Sequence, residues 1–238
     1  MSFHREQRIR NFISMRWIIL LVSLLTVCQN ADSQSNSWSA GTLDIHIVPL
    51  ALIDGNPRLR LGMEYHPRKR IGYSLDVGFG NNQILKYRVF GPHWGNDYSF
   101  FEIRPEIKWY KSKSSEYEVY YSAELFYLRM TDHLSNGFFY PEESSTTLSF
   151  DEASFTKQKI GLNFKTGIKL LVWKKMILDF YGGIGIAVRD INYADFVNLM
   201  YFDSGQIEYG PIPQELEGNY FVAQFPFGFK IGYLIKKW

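Results

Sequence analysis

Ile71-Gly72-Tyr73-Ser74-Leu75-Asp76-Val77-Gly78-Phe79-Gly80 is the stretch that decides the fold class. Large apolar side chains hold every odd position, and glycines, a serine and a carboxylate hold the even ones. Side chains of an extended strand point alternately to two faces, so this run has one greasy face and one small, polar face. Working outward, the same period of two recurs over residues 43–51, 58–66, 101–110, 117–127, 160–172, 178–189 and 223–235. Each segment has the length of roughly 9–11 residues, or a little more, that a tilted strand needs to cross a bilayer. Pro105 and Pro226 fall inside two of them and call for a bulge or a strand end nearby.

The polar faces carry full charges: Asp44, Glu64, Asp76, Glu102, Glu106, Glu118, Glu124 and Asp179 against Arg58, Arg60, Arg104, Lys108, Lys165, Lys169, Arg189 and Lys230. In a water-soluble barrel these groups face solvent around a greasy centre. The connections point the other way. They alternate between short (His66–Arg70, Lys111–Glu116, Trp173–Met176) and long (about 81–99, 129–157 and 190–220), the spacing of outer-membrane barrels, with Ile53–Pro57 a short first member of the long side. The expectation is all-β: a closed eight-stranded antiparallel up-and-down transmembrane β-barrel over residues 41–238. Its narrow lumen is filled by matched acids and bases, because an unpaired buried charge costs several kcal/mol. His46 and His66 fall on the same inward face and are expected to be hydrogen-bonded there.

The N-terminus reads as a secretory signal over residues 1–33, with residues 34–40 as a periplasmic lead-in. Arg8, Arg10 and Arg16 precede the apolar run Trp17–Val27, and Ala31-Asp32-Ser33 offers a cleavage site. Met1 and Met15 both serve as possible starts. Cys28, the only cysteine, is either the acylated residue of a lipoprotein or is lost with the signal; the bulk of Val27 before it favours loss. Removing residues 1–33 takes away four Arg and two acids from totals of 26 and 24, which leaves 22 of each sign. A balanced charge gives no reason to expect nucleic acid as a partner.

Aromatic residues reach 17%, and Tyr65, Tyr73, Trp109, Tyr110, Tyr117, Trp173 and Tyr233 gather at the short-turn end as a girdle. The last strand alternates to a terminal Trp238. Signal, strand count, charged lumen and aromatic C-terminus together resemble the small outer-membrane β-barrel families typified by OmpA and OmpX. That resemblance implies an outer-membrane location, lipid contact, and recognition of the last strand by the insertion machinery. It implies no activity.

Function is sought in the long connections. Residues 130–156 and 190–220 contain no Lys or Arg but many acids, interleaved with Phe138, Phe139, Tyr140, Tyr193, Phe196, Tyr201, Phe202 and Tyr209. Either these aromatics meet a protein or surface partner, one form of which is a larger outer-membrane assembly with this chain as accessory subunit, or the loops fold over one another and bury them. Residues 197–209 read as a hairpin about Asp203-Ser204-Gly205. A barrel that binds nothing specific is the structural alternative. His133-Leu134-Ser135, with Glu142 or Glu143 as orienting carboxylate, resembles the His-x-Ser element of the lipid A deacylase PagL family, but it is placed at the start of a loop. No catalytic site, metal site or cofactor is otherwise expected, since no EF-hand, phosphate loop, zinc spacing or nucleophile elbow occurs.

Overall fold

The described residues are mostly antiparallel strand. The structure, a computed structural model, describes residues 41–68, 70–85, 97–113, 117–139, 148–172, 175–201 and 216–237. The signal segment, Cys28 and Trp238 lie outside these. The strands are β1 (Thr42–Ile47), β2 (Leu59–Arg68), β3 (Ile71–Asn81), β4 (Ser99–Lys113), β5 (Tyr117–Phe139), β6 (Leu148–Val172), β7 (Met176–Val197), β8 (Met200–Tyr201), β9 (Gly218–Gln224) and β10 (Phe227–Lys237). All pair antiparallel, each with its sequence neighbour through β7.

The sheet closes on itself. The lower half of β7 pairs with β10 and its upper half with β9, so β9 and β10 act as one strand broken at Phe225-Pro226. β10 pairs in turn with β1, giving a ring of eight strands. Pro226, which has no N–H to donate, sits at the break. Pro105 is tolerated within β4 because the β4–β5 ladder skips Arg104 and Pro105.

The stagger of the ring is read from its register. Ile47 pairs with Leu61, and the partners continue through Val77, Ile103, Tyr127, Ile160 and Val188 to Phe221. On the other side Ile47 pairs with Ile231, ten residues beyond Phe221. A stagger of ten over eight strands corresponds to a strand tilt of roughly 40°. A ring of that size leaves room for side chains and little else.

Two strand limits depart from expectation. β1 stops at Ile47 because Pro49 opens a 3-10 helix, η1 (Pro49–Leu52). β5, β6 and β7 run well past the expected loop boundaries: residues 129–139, 148–157 and 190–197 are strand, not loop. The ladder holds them there, from Arg129↔Gln158 up to Phe139↔Leu148 and from Asp190↔Gln158 up to Glu152↔Val197. Of the hairpin expected over 197–209, only the first arm is described. Met200 and Tyr201 pair with Ser149 and Leu148 of β6, and residues 202–209 lie outside the described residues.

This extra length divides the molecule into two storeys of opposite sense. In the lower storey of β5, Tyr117, Tyr121 and Leu125 face outward and exposed, while Glu118, Ser122 and Glu124 are buried inside. Higher on the same strand the inward positions become Phe126, Leu128, Met130 and Leu134, with one buried carboxylate, Asp132, that accepts from the Asp97 and His133 N–H groups, and the outward ones Arg129, His133 and Ser135. β6 does the same: Phe164, Leu162 and Ile160 outward below, with Lys165 and Asn163 inward; then Phe155 and Ala153 inward above. The upper interior is an apolar core of Tyr98, Phe100, Phe126, Met130, Phe150, Phe155, Ile191 and Tyr193, with neighbours.

Candidate functional site

The lower interior is the most densely functionalised part of the molecule. Alternation aims one charged side chain after another at the axis, and glycines on the same faces (Gly72, Gly78, Gly167) leave the room that Glu64, Glu102 and Tyr120 occupy. Arg58, Arg60 and Arg104 each bring Nε to Glu102, at 2.6, 2.5 and 2.8 Å. Arg104 continues to Glu124 at 2.9 Å, Glu124 to Lys165 at 2.6 Å and Lys165 to Glu106 at 2.9 Å. Lys230 links Glu106, at 3.4 Å, to Asp76, at 3.0 Å. His46 joins Asp76 at 2.8 Å to Asp44 at 3.5 Å. Lys169 bridges Asp44 and Glu64 at 2.8 and 3.1 Å, and Lys108 bridges Glu64 and Asp179 at 2.8 and 2.7 Å.

These contacts form one unbroken chain of charged and hydrogen-bonding side chains to which every strand of the ring contributes. Breaking such a buried pair from one side strands its partner, which typically costs about 3–5 kcal/mol. Of the residues expected here, Glu118 is buried at the lower end, opposite Lys169 in the ladder. Arg189 stands higher, its guanidinium 5.6 Å from the centre of the Tyr220 ring. Sequence reasoning missed several neutral members. Tyr110 was placed in the outer girdle but points inward and donates its hydroxyl to Glu64. Its even position, in step with Glu106 and Lys108, carried that information. Tyr120 donates to Asp179 at 2.7 Å, and Asn163 Nδ2 donates to Glu124 at 2.8 Å. Tyr65, Tyr73, Trp109, Tyr117 and Tyr233 are exposed on the outside. Trp173 lies outside the described residues.

Asp44, Glu64 and His66 offer one ligand atom each within 4.8 Å of one another, all buried. The centre of that group already holds a cation: Lys169 Nζ stands 2.8 Å from Asp44, 3.1 Å from Glu64 and 3.3 Å from His66 Nε2. A metal ion has to displace this ammonium, so the cluster is read as part of the network.

The candidate partner-binding aromatics separate. Phe138 and Tyr193 are 8% and 4% exposed, and Phe196 packs against the same apolar core. Tyr201 is 82% exposed. Phe139 belongs to β5, but its side chain, like Tyr140, Phe202 and Tyr209, lies outside what the structure describes. Exposed Val197, Leu199 and Met200 flank Tyr201, and the acids Asp151, Glu152 and Asp195 stand exposed on the neighbouring strands. Asn198 Nδ2 donates to Asp151 at 2.6 Å and ties this edge down.

His133 and Ser135 lie on β5 itself, not at the start of a loop, and both face outward above the apolar band. His133 Nε2 is 3.4 Å from Glu152 Oε2, and Glu152 is the ladder partner of Ser135. No hydrogen bond joins Ser135 to His133 among the described residues. Glu142 and Glu143 lie outside them.

No helix among the described residues is long and apolar enough to cross a membrane, which says nothing of crossing by strands. Compared with known proteins, the chain matches no family profile, no curated protein and no solved structure.

Proposed function

We propose that this chain is an integral β-barrel protein of a bacterial outer membrane, non-enzymatic and non-conducting, that presents a partner-binding edge on its extracellular storey. The observation that carries the reading is the reversal of sidedness between storeys. Water favours the arrangement of the upper storey, greasy inside and polar outside. It opposes the lower storey, where Ile184, Ile186, Phe225 and Phe227 are 65, 67, 72 and 77% exposed around a charged interior. Hydrocarbon favours the lower storey. The outward apolar run on β6 spans from Leu170 to Ile160; with the tilt above, ten residues rise roughly 25 Å, the height of an outer-membrane apolar band. The architectural resemblance to the OmpA and OmpX families belongs to the same proposal, as do the signal segment and the reading of the last strand by the insertion machinery.

The lumen is sealed twice, by the ion-pair chain below and the apolar core above, which supports a closed barrel. The partner edge is the exposed Val197–Tyr201 stretch. It is apolar, flanked by acids and ends in β8, whose only partner among the described residues is β6; such an edge suits a protein segment with basic flanks. The test is photo-crosslinking in native membranes from position 201, with position 73 on the lipid belt as control. A discrete protein adduct from 201 and none from 73 is expected. Equal diffuse labelling from both, or none from 201, overturns the partner edge. A folded chain that stays monodisperse without detergent overturns the barrel.

A further inference from the structure

The wall of the ring is incomplete on one side. β1 ends at Ile47, whose partner is Ile231. Above that level the residues of β10 from Phe227 to Lys230, and all of β9, pair with β7 alone among the described residues. The place of the missing strand is taken by η1. Between η1 and the break at Phe225-Pro226 opens a cavity of about 400 Å³, within the range of small-ligand sites.

The cavity has two unlike ends. Its mouth is formed by Leu50, Ile53, Phe225 and Phe227, and it lies beside Gly182 to Gly185 of β7, midway up the outward apolar run. Its polar wall is formed by Arg58, Arg60, Arg104 and Asn163 together with the carboxylates Asp54 and Glu124, each of which is already paired to one of the arginines. The three guanidinium groups share a single fully buried carboxylate, Glu102. Arg58 also binds Asp54 and the Asn56 carbonyl and lies 4.9 Å from the centre of the Phe100 ring, and Arg104 also binds Glu124 and lies 4.8 Å from the centre of the Phe126 ring. One terminal nitrogen on each arginine (Nη2 of Arg58, Nη1 of Arg60, Nη2 of Arg104) makes no hydrogen bond among the described residues. Arg58 and Arg60 are each 6% exposed. Beside them the buried Asn163 Oδ1 has no hydrogen-bond partner either.

These nitrogens face the cavity, and a planar fork of guanidinium N–H groups fits a carboxylate or phosphate. We propose that this slot binds an anionic amphiphile, its headgroup on Arg58, Arg60 and Arg104 and its hydrocarbon chain leaving through the mouth into the bilayer. The mouth suits the chain because its side chains continue the lipid-facing belt. The inference rests on the barrel reading, which puts the mouth at hydrocarbon depth.

The experiment uses the full chain in nanodiscs, with binding followed by native mass spectrometry and calorimetry. The probes are a sixteen-carbon fatty acid, a single-chain phosphate monoester lipid, and the sixteen-carbon alcohol as neutral control. Either acid is expected to bind one-to-one at least tenfold more tightly than the alcohol; which acid wins assigns carboxylate or phosphate. Leu50→Trp fills the mouth without touching an ion pair and is expected to weaken the acid at least tenfold. Tyr73→Trp, on the far side of the belt, is expected to change nothing. Alcohol binding as tight as acid binding, or Leu50→Trp binding as tightly as the parent, overturns the slot. A folded, nanodisc-inserted chain that binds neither acid overturns the slot and leaves the barrel standing. A chain that never enters the nanodisc overturns the barrel first.

Discussion

Lys108 and Asp179, 71 positions apart in the chain, meet at 2.7 Å across the interior of the ring, from β4 to β7. Lys108 is fully buried, shares Glu64 at 2.8 Å and lies 4.3 Å from the centre of the Tyr120 ring. One ammonium on β4 thus ties two carboxylates and an aromatic face on three other strands. Such a contact cannot form until the ring has closed, and it fixes the relative register of strands that are not neighbours.

Replacing Lys108 tests whether the chain of ion pairs holds the ring. Lys108→Met keeps the bulk and leaves Asp179 facing the low-dielectric interior without its cation. A loss of about 3–5 kcal/mol is expected, read from the urea midpoint of folded-to-unfolded gel mobility in detergent. Adding Asp179→Asn removes the stranded charge, while Glu64 keeps Lys169 at 3.1 Å and His66 at 2.9 Å, so the double variant recovers most of the loss. A single variant as stable as the parent shows that the interior does not depend on the pairing.

The reversal between storeys predicts opposite responses on the two levels of β6. Phe164 is 58% exposed on the lower outer face, and Phe164→Arg places a charge in hydrocarbon, at about 2–4 kcal/mol. Gln158, on the same face above the band, accepts Arg within about 0.5 kcal/mol. Phe155 points inward and is 1% exposed, so Phe155→Ala opens a cavity worth about 3–5 kcal/mol. Refolding into vesicles ranks the three. If Phe164→Arg is silent, the lower face does not meet lipid.

Alternation in residues 71–80 and its repeats was enough to place the charged faces and the strand number, because a strand's period is independent of what covers it. It was blind to where the covering changes. The inward positions of β5 continue from Glu124 into Phe126, Leu128, Met130, the buried Asp132 and Leu134 in unbroken step, but three apolar side chains in a row after Glu124 read as the end of a strand when one face is expected to stay polar throughout. The same expectation put Phe138 and Tyr193 in loops, where exposure to a partner and burial by the loops themselves stayed open, although their ladder partners Ser149 and Phe155 hold them in the sheet and they are buried. The slot at η1 was not legible either. It depends on Arg58, Arg60 and Arg104 converging on Glu102 from two strands, and on the early stop of β1 imposed by Pro49.

Two separate seals predict electrical silence. The parent protein in a planar bilayer is expected to carry no steady current. Glu124→Ala with Lys165→Ala removes a link of the lower seal, yet the apolar core above, with Met130 and Phe155 at 0% and 1% exposure, still closes the axis. The double variant is therefore expected to stay silent as well. Large steady currents from the parent refute a closed lumen. Currents from the double variant alone show that the upper core does not seal.

His133, Ser135 and Glu152 supply the residue types of a hydrolase, so their silence is a prediction with content. His133 and Glu152 are 3.4 Å apart with side chains 41% and 53% exposed, a surface pair worth about 1 kcal/mol at most. Ser135 makes no hydrogen bond to His133, so nothing in this arrangement activates its hydroxyl. Position also counts. His133 stands six residues above Tyr127, the top of the apolar band on β5, which with the tilt of the ring is roughly 15 Å. The ester bonds of a membrane lipid lie at the edge of the band, out of reach from there. Cells carrying His133→Ala or Ser135→Ala are therefore expected to show the same lipid A acyl chains by mass spectrometry as cells carrying the parent. A single acyl chain whose removal depends on both side chains reassigns the protein as a hydrolase, and with it the upper storey from a partner edge to a catalytic one.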